Sequence, residues 1–529
     1  AAGAPDDDLV FLPLGGSGEI GMNFNAYGYG PAHDRQWIIV DCGVLFGRES
    51  NQPGVDVLMP DIRALTENRE KILGIVATHA HEDHIGAIAH LWPMLRCPVY
   101  ATPFTARLIT GKLEEAGLSG KLHVRDVPVG GSLTLGPFAM DFISITHSIL
   151  EPNLLAIRTP LGVVAHTGDW KLDPEPVLGE VTDSAALEKL GDEGVLALVC
   201  DSTNALVPGA SGSESAVRES LTELIGTLKG RVAVTGFASN VARLDTVARA
   251  ARVHGRQIAL VGRSMQKMVS AARECGYLAD FPPVLDETEA MDLPPRKVLF
   301  LCTGSQGEPR AAMARIASDS HPNVHLAEGD AVIFSSRVIP GNEMSIFALH
   351  NQLAARGIEL LSADDHFVHV SGHPCREELA QMYRWIRPQL SVPVHGEIRH
   401  QVAHARLARE MQVPRALIPR NGDLLRLAPG RPELIDEVPS GRIHLDGRVL
   451  VAEGEGLAKS RRALAHAGLL AISIVLDAKG RVAAMPSVLA EGMPDPVAEA
   501  VRRAVEDQMQ GSRRNDPDDL AQSVRRVAR

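Results

Sequence analysis

Short apolar runs that stop at polar, ligand-type residues punctuate the first two hundred positions of the chain. Residues 9–14 lead into the glycine-rich turn Gly15-Gly16-Ser17-Gly18-Glu19-Ile20-Gly21, and residues 37–40 stop at Asp41. Residues 74–77 stop at Thr78-His79-Ala80-His81-Glu82-Asp83-His84, and the alternating run 142–146 stops at His147. Residues 163–165 end at His166-Thr167-Gly168-Asp169, and residues 195–200 end at Asp201. Apolar runs of this length bounded by turn residues read as strands. Polar groups just past each one describe a sheet that builds a site from loops along one edge.

From about residue 205 the rhythm changes. Residues 232–234, 258–261, 298–301 and 332–334 read as strands, with helices predicted over 240–253 and 264–275. Such alternation predicts a parallel sheet covered on both faces. A helix over 343–356 leads back to the first domain, where strands end at His369-Val370-Ser371-Gly372-His373 and His395-Gly396-Glu397. Pro429-Gly430-Arg431-Pro432 and Pro439-Ser440-Gly441 mark a linker. Beyond it, residues 469–476, a turn at Asp477-Ala478-Lys479-Gly480 and residues 482–485 predict a hairpin, followed by Val497, Val501, Ala504 and Val505 at helical spacing. This β-β-α tail suits an accessory or oligomerisation module. Residues 502–529 carry seven arginines against five acids and are expected to be a solvated, partly frayed end. The expected boundaries are 1–204 and 350–430 for the two parts of the first domain, 205–349 for the insertion, 431–448 for the linker and 449–529 for the tail.

Composition narrows the class without choosing a function. A chain of 529 residues with 45% hydrophobic and 22% charged residues is long enough for three or four globular cores. Net charge of −12 counts against a non-specific nucleic-acid coat but leaves room for a local basic channel, or for metal ions that supply the positive charge themselves. Aromatic residues at 4% argue against an extensive base-stacking platform. The six scattered cysteines form no C-x-x-C pair and read as reduced thiols. Residues 1–8 lack a basic or apolar leader, and no apolar run approaches membrane-spanning length. No membrane association and a cytoplasmic location are expected.

The chemistry is densest at His79-x-His81-x-Asp83-His84. Neutral imidazole nitrogens and carboxylate oxygens suit zinc, and also manganese or iron in mixed N/O sites. A loop can aim His79 and His81 at one ion, and Asp83 and His84 at a second. The glycine-rich turn at 15–21 lacks the lysine of a nucleotide-binding loop.

The order His79-x-His81-x-Asp83-His84, His147, Asp169, His395 resembles the metallo-β-lactamase fold. That resemblance implies an αββα sandwich in which His79, His81 and His147 hold one metal, Asp83, His84 and His395 hold another, and Asp169 bridges them. Asp169 and His395 stand 226 residues apart, and the intervening segment resembles the β-CASP domain of nucleases. Asp201 in Cys200-Asp201-Ser202-Thr203-Asn204, His373 and His395 match that family's motifs, and a histidine at the last position is associated with RNA. A finer similarity, over about residues 9–425, is to the ribonuclease J family. It rests on residues 12–23, 166–171, Phe237-Ala238-Ser239-Asn240, residues 302–309 and Ile339-Pro340-Gly341-Asn342-Glu343. Trp170 and Ile149-Leu150-Glu151 depart from it.

The resemblance implies an α/β protein with an inserted α/β domain and a small C-terminal β-β-α domain. It also implies a ribonuclease with two divalent ions, zinc first and manganese or magnesium otherwise. Its action would be 5′-to-3′ exonucleolytic, favouring a 5′-monophosphate, with some internal cutting, in RNA maturation and mRNA decay. His373, oriented by Asp201, is expected to protonate the leaving 3′-oxygen from a pKa near its ordinary value; an outer phosphate contact is the alternative. Asp83 is counted with these two as catalytic. His369, Ser371, Gly372 and His373 are expected to contact RNA phosphate. Ser239, Asn240, Ser305 and Gln306 are either RNA contacts or ordinary capping turns. Single-stranded RNA, a homodimer or homotetramer, and RNA-degradation complexes are the expected partners. A small-molecule or thioester hydrolase and a non-catalytic RNA-binding subunit are the alternatives.

Overall fold

The computed structural model describes residues 6–47, 54–55, 57–453, 457–479, 483–510 and 517–527. The chain divides into two compact units, residues 1–45 with 59–442, and residues 46–58 with 443–529.

In the first unit, alternating apolar positions put two mixed sheets face to face. One has the order Glu433–Glu437, Asp423–Ala428, Asp8–Gly15, Phe24–Gly30, Gln36–Val40, Ile72–Val76, Val99–Ala101, Val124–Asp126. The other runs Ser132–Leu135, Phe138–Ser144, Asn153–Thr159, Gly162–His166, Ala197–Asp201, Leu390–Val394, Arg415–Ala416. Leu9, Phe11, Tyr27, Ile38 and Val76 meet Phe142, Leu155, Val164, Val199 and Val392 in one buried core between them. Helices Ser184–Glu193, Arg376–Ile386 and Ile398–Glu410 cover the outer face of the second sheet through Leu187, Leu379, Met382 and Leu407. The sandwich is αββα, as expected.

The insertion is a parallel sheet in the order Val284–Leu285, Gln257–Val261, Val298–Cys302, Val232–Thr235, Ala331–Phe334, Glu359–Leu361. The predicted helices appear as Val241–Val253, Arg263–Glu274 and Glu343–Ala355.

Residues 431–448, expected as a linker, carry structure. Glu433–Glu437 pairs antiparallel with Asp423–Ala428 as an edge strand, and its charged side chains face solvent, as edge positions favour. Arg442–Asp446 pairs with Val449–Ala452.

The second unit keeps the β-β-α order and adds flanking helices Leu457–Ala467 and Pro517–Val527. Its hairpin pairs Leu469–Ser473 with Ser487–Glu491, so the second strand lies beyond the expected 482–485. Gly480, Arg481 and Val482 lie outside the described residues, as do 511–516 and the last two positions. Residues 502–510 complete helix Asp495–Gln510, and Val524 of the last helix packs on Val505, so the described part of the tail is folded. No helix among the described residues is long and apolar enough to cross a membrane.

Candidate functional site

The loops after Gln36–Val40, Ile72–Val76, Phe138–Ser144, Gly162–His166, Ala197–Asp201 and Leu390–Val394 open at one edge of the sandwich. They bring together three groups of candidate ligand atoms. These are His79, His81, His147 and Asp169; Asp83, His84, Asp169 and His395; and Asp169, Asp201, His373 and His395. Asp169 belongs to all three.

The hydrogen bonds at the back of each imidazole fix which nitrogen faces the site. His147 Nδ1 lies 2.5 Å from the Gly372 carbonyl, so it carries the proton and turns a bare Nε2 inward. Gly372 must be glycine for that approach, since a Cβ there would lie 2.6 Å from Ser148 Oγ and 2.8 Å from His147 Cε1. Thr78 Oγ1 donates to Asp41 Oδ2 (2.9 Å) and accepts from His79 Nδ1 (3.0 Å), which leaves His79 Nε2 bare. His79 Nε2 and His147 Nε2 then meet His81 Nδ1 at 3.2 and 3.0 Å. Lone pairs converging with at most one proton between them repel, and a cation is the group that satisfies such a set.

The second group is built in the same way. His84 Nδ1 donates to Asp41 Oδ2 at 2.7 Å, and His395 Nδ1 donates to Asn23 Oδ1 at 3.0 Å. His395 Nε2 and Asp169 Oδ1 are both buried and without a hydrogen bond. Asp169 Oδ1 is 3.2 Å from His84 Nε2, close enough for charge attraction but not in hydrogen-bond geometry. His395 Nε2 is 3.4 Å from Asp169 Oδ2 and 3.7 Å from Asp83 Oδ2. Burial and the neighbouring imidazoles hold His79 and His147 well below the ordinary range, and burial takes His81 to about 4, so all three are neutral ligands-in-waiting. The donor set fits divalent cations.

Three segments hold the site that the sequence did not assign to it. Asp41, with φ +65°, accepts from Thr78 N, Thr78 Oγ1 and His84 Nδ1. Asn23 binds His395 with its oxygen and, with its amide nitrogen, lies 3.0 Å from His84 Nε2. Both residues stand in quoted motifs or at a strand end, which was the available signal. The glycine-rich turn is not a phosphate loop. Its Ser17–Gly18 strand pairs with Gly396–Glu397, and the Gly16 carbonyl accepts from His395 N at 2.6 Å, so it seats a ligand residue. His373 Nδ1 is 2.7 Å from Asp201 Oδ2 and 3.9 Å from Asp169 Oδ2. Burial alone would lower its pKa, but the charge and hydrogen bond of Asp201, with Asp169 and Asp83, raise it to about 9. The expectation of an ordinary value is corrected by that 2.7 Å contact.

Of the expected substrate contacts, Ser371 Oγ accepts from Asn204 Nδ2 and His373 N, leaving its own proton outward-directed. His369 is pushed down to about 3 by burial and by Arg243, so it is neutral. Ser239 Oγ reaches His81 Nε2 at 3.1 Å and thus stands at the ligand cluster. Asn240 instead caps helix Val241–Val253, accepting from Arg243 N and donating to Glu214. Gln306 is buried, and its amide binds the Arg337 carbonyl, Ile339 N and Asn342 within the inserted domain. Ser305 is buried beside it. For Asn240 and Gln306 the capping and loop-bracing alternative describes the structure, because their polar atoms are already engaged.

Comparison with known proteins agrees with this architecture. Residues 25–221 match the metallo-beta-lactamase superfamily, residues 229–353 the ribonuclease J beta-CASP domain, and residues 362–419 the Zn-dependent metallo-hydrolase RNA specificity domain. Ribonuclease J of Sinorhizobium meliloti is 47% identical over 99% of this chain and 95% of its own length. The chain belongs to the ribonuclease J family. Ribonuclease J of Thermus thermophilus is 40% identical over 89% of this chain and 83% of its own, and that of Mycolicibacterium smegmatis is 38% identical over 98% and 93%. A crystal structure of a protein of unknown function from Enterococcus faecalis V583 shares the fold, with a TM-score of 0.56 and 17% identity over 79% of this chain and all of that one. The chain is therefore a metal-dependent ribonuclease, its substrate is RNA, and its His/Asp groups are candidates to hold divalent metal.

Proposed function

We propose that this ribonuclease removes nucleotides from the 5′ end of single-stranded RNA, favours a 5′-monophosphate and makes some internal cuts. The observation that carries the reading is the His373–Asp201 pair set against the metal-ligand cluster, with His373 Nδ1 2.7 Å from Asp201 and 3.9 Å from Asp169. In this reading His79, His81 and His147 hold one divalent ion, Asp83, His84 and His395 hold the other, and Asp169 serves both. When bound, two such cations supply a hydroxide at neutral pH and neutralise charge on the attacked phosphorus.

The chain's own groups do the rest. With Nδ1 committed to Asp201, His373 presents Nε2 as its free nitrogen. A pKa of about 9 keeps the ring protonated at neutral pH, ready to deliver a proton to the leaving 3′-oxygen. In this reading Ser371 hydroxyl, the Gly372 backbone, His369 and Ser239 contact phosphate oxygens, for which their donor groups are suited. The zinc-dependent domain description favours zinc as the metal. The six cysteines are free thiols, as expected for work in a reducing cytoplasm on mRNA decay and RNA maturation. We assign the protein to a homodimer or homotetramer that can join RNA-degradation complexes.

The test is a time course on one 3′-end-labelled RNA carrying a 5′-monophosphate, triphosphate or hydroxyl. Progressive shortening from the 5′ end, fastest for the monophosphate, is the expected result. Loss of label as mononucleotide from the 3′ end, or equal rates for the three ends, would reject the reading.

A further inference from the structure

Two sets of contacts tie the inserted domain to the sandwich, and they differ in kind. On the side where the chain crosses over, the buried Glu378 carboxylate accepts from Leu172 N, Ser211 N, Ser211 Oγ and Cys375 N at 2.7–2.9 Å. It thereby staples the outgoing and returning crossovers to the segment after Asp169. On the far side, helix Arg263–Glu274 of the insertion meets helix Pro103–Glu115 through two exposed ion pairs, Arg107 with Glu274 and Lys267 with Glu115. Exposed pairs of this type hold little. Beside them, Tyr277 Oη donates to Glu151 Oε1 at 3.0 Å.

Glu151 is not an ordinary surface acid. It is buried and adopts φ +55°. Its Oε2 accepts from Phe104 N at 2.8 Å, at the start of helix Pro103–Glu115. Its carbonyl accepts from Asn153 Nδ2 at 2.7 Å, and Asn153 N donates to the Thr78 carbonyl at 3.1 Å. Glu151 therefore lies between two ligand-bearing segments, the loop after His147 and the residue before His79. A small cavity of about 20 Å³, lined by Thr146, His147, Glu151, Pro176, Leu178 and Tyr277, lies beside this loop. A left-handed, buried residue beside a cavity needs its hydrogen bonds to hold its place.

We infer that Tyr277 is a positioning residue: its hydroxyl, acting through Glu151, lets the inserted domain hold the His147 loop in register with His79. The pin makes the ligand geometry conditional on the insertion being seated against helix Pro103–Glu115. Tyr277 touches neither ligand nor substrate in this role.

The test uses the full-length, metal-loaded chain and Tyr277→Phe, which removes one hydroxyl and keeps the ring. Hydrogen exchange of the amides between His147 and Asn153 is expected to quicken, and kcat on RNA to fall about tenfold with KM unchanged. Chelator competition on the apo chain is expected to show weaker zinc binding by a similar factor. The double variant Arg107→Ala, Lys267→Ala removes only the exposed pairs and is expected to keep parental exchange at these amides. Parental exchange and kcat in Tyr277→Phe would overturn the inference. So would an equal loss in the double variant, since loose seating rather than the hydroxyl would then be the cause.

Discussion

A histidine ligand is defined by the nitrogen that does not touch the metal. His147, His79, His84 and His395 each have that nitrogen occupied, by the Gly372 carbonyl, Thr78, Asp41 and Asn23 respectively. Asn23 holds that nitrogen of His395, so Asn23→Ala frees the His395 ring to turn, while His84 stays held by Asp41. We expect metal affinity to fall about 10–100-fold, measured by chelator competition; an unchanged affinity would remove Asn23 from the site. His373→Ala separates chemistry from assembly. Its kcat should drop about 10²–10⁴-fold while metal content by elemental analysis stays parental. Metal loss in that variant would make His373 a ligand instead of an acid. The seven candidate ligand residues, which the structure brings together, were legible in the sequence because each sits in a short polar motif at a strand end. Asn23 and Asp41 were harder to see, because their roles depend on contacts 372 and 43 positions away along the chain, which no local pattern records. The pairing of His373 with Asp201 was legible from the motifs, but the strength of that contact and the added charges of Asp169 and Asp83, which raise the His373 pKa, depend on packing.

At the scale of elements, one buried ion pair organises the approach to the site. Glu214 opens helix Glu214–Thr227 and binds Arg243 of helix Val241–Val253 through Nη2 at 2.9 Å and Nε at 3.0 Å. Arg243 Nη1 then reaches the Val368 carbonyl at 2.9 Å and Ser335 Oγ at 2.7 Å, fixing the segment that leads to His369. Arg243→Ala leaves a buried carboxylate unpaired and should cost about 3–5 kcal/mol, read from denaturant unfolding. Burial alone would raise the Glu214 pKa, but the charge and hydrogen bonds of Arg243 hold it below the ordinary 4.5. A carboxyl depressed in the folded state adds stability that is complete above the unfolded value and is lost as pH falls through the folded one. Glu214→Gln should therefore melt below the parent at pH 7, and the gap should close as pH falls below about 4.5. A gap independent of pH would mean that Glu214 acts by shape and not by charge. The helices in this pair were legible from their periodicity, whereas the pair itself was not. The strand Glu433–Glu437 escaped for the opposite reason: as an exposed edge it needs no apolar alternation, so prolines and glycine nearby outweighed it.

At the scale of the whole molecule, the second unit carries a surface that one copy does not cover. In the hairpin, Leu469 stands opposite Glu491 and Ala471 opposite Leu489, so Leu469, Ala471 and Leu489 share one face. Leu469 and Leu489 are exposed there, while Ile472, Ile474 and Leu476 pack toward Val501, Val505 and Val524. A two-stranded ribbon is marginal in water, and among the described residues no further strand pairs with either edge of this one. For the oligomer proposed above, a second copy of the same hairpin would supply both an apolar face and strand edges of matching length, the simplest symmetric solution. Leu489→Asp puts a charge in the middle of that face without touching any residue of the metal site. Sedimentation at micromolar concentration should shift from oligomer to a 56.7 kDa monomer, with cleavage of a short single-stranded RNA retained. Should the variant keep the parental mass, the hairpin face is not the interface, and the oligomer must be sought on the sandwich or the inserted domain. Should mass and cleavage fall together, assembly is a condition of activity and not an addition to it.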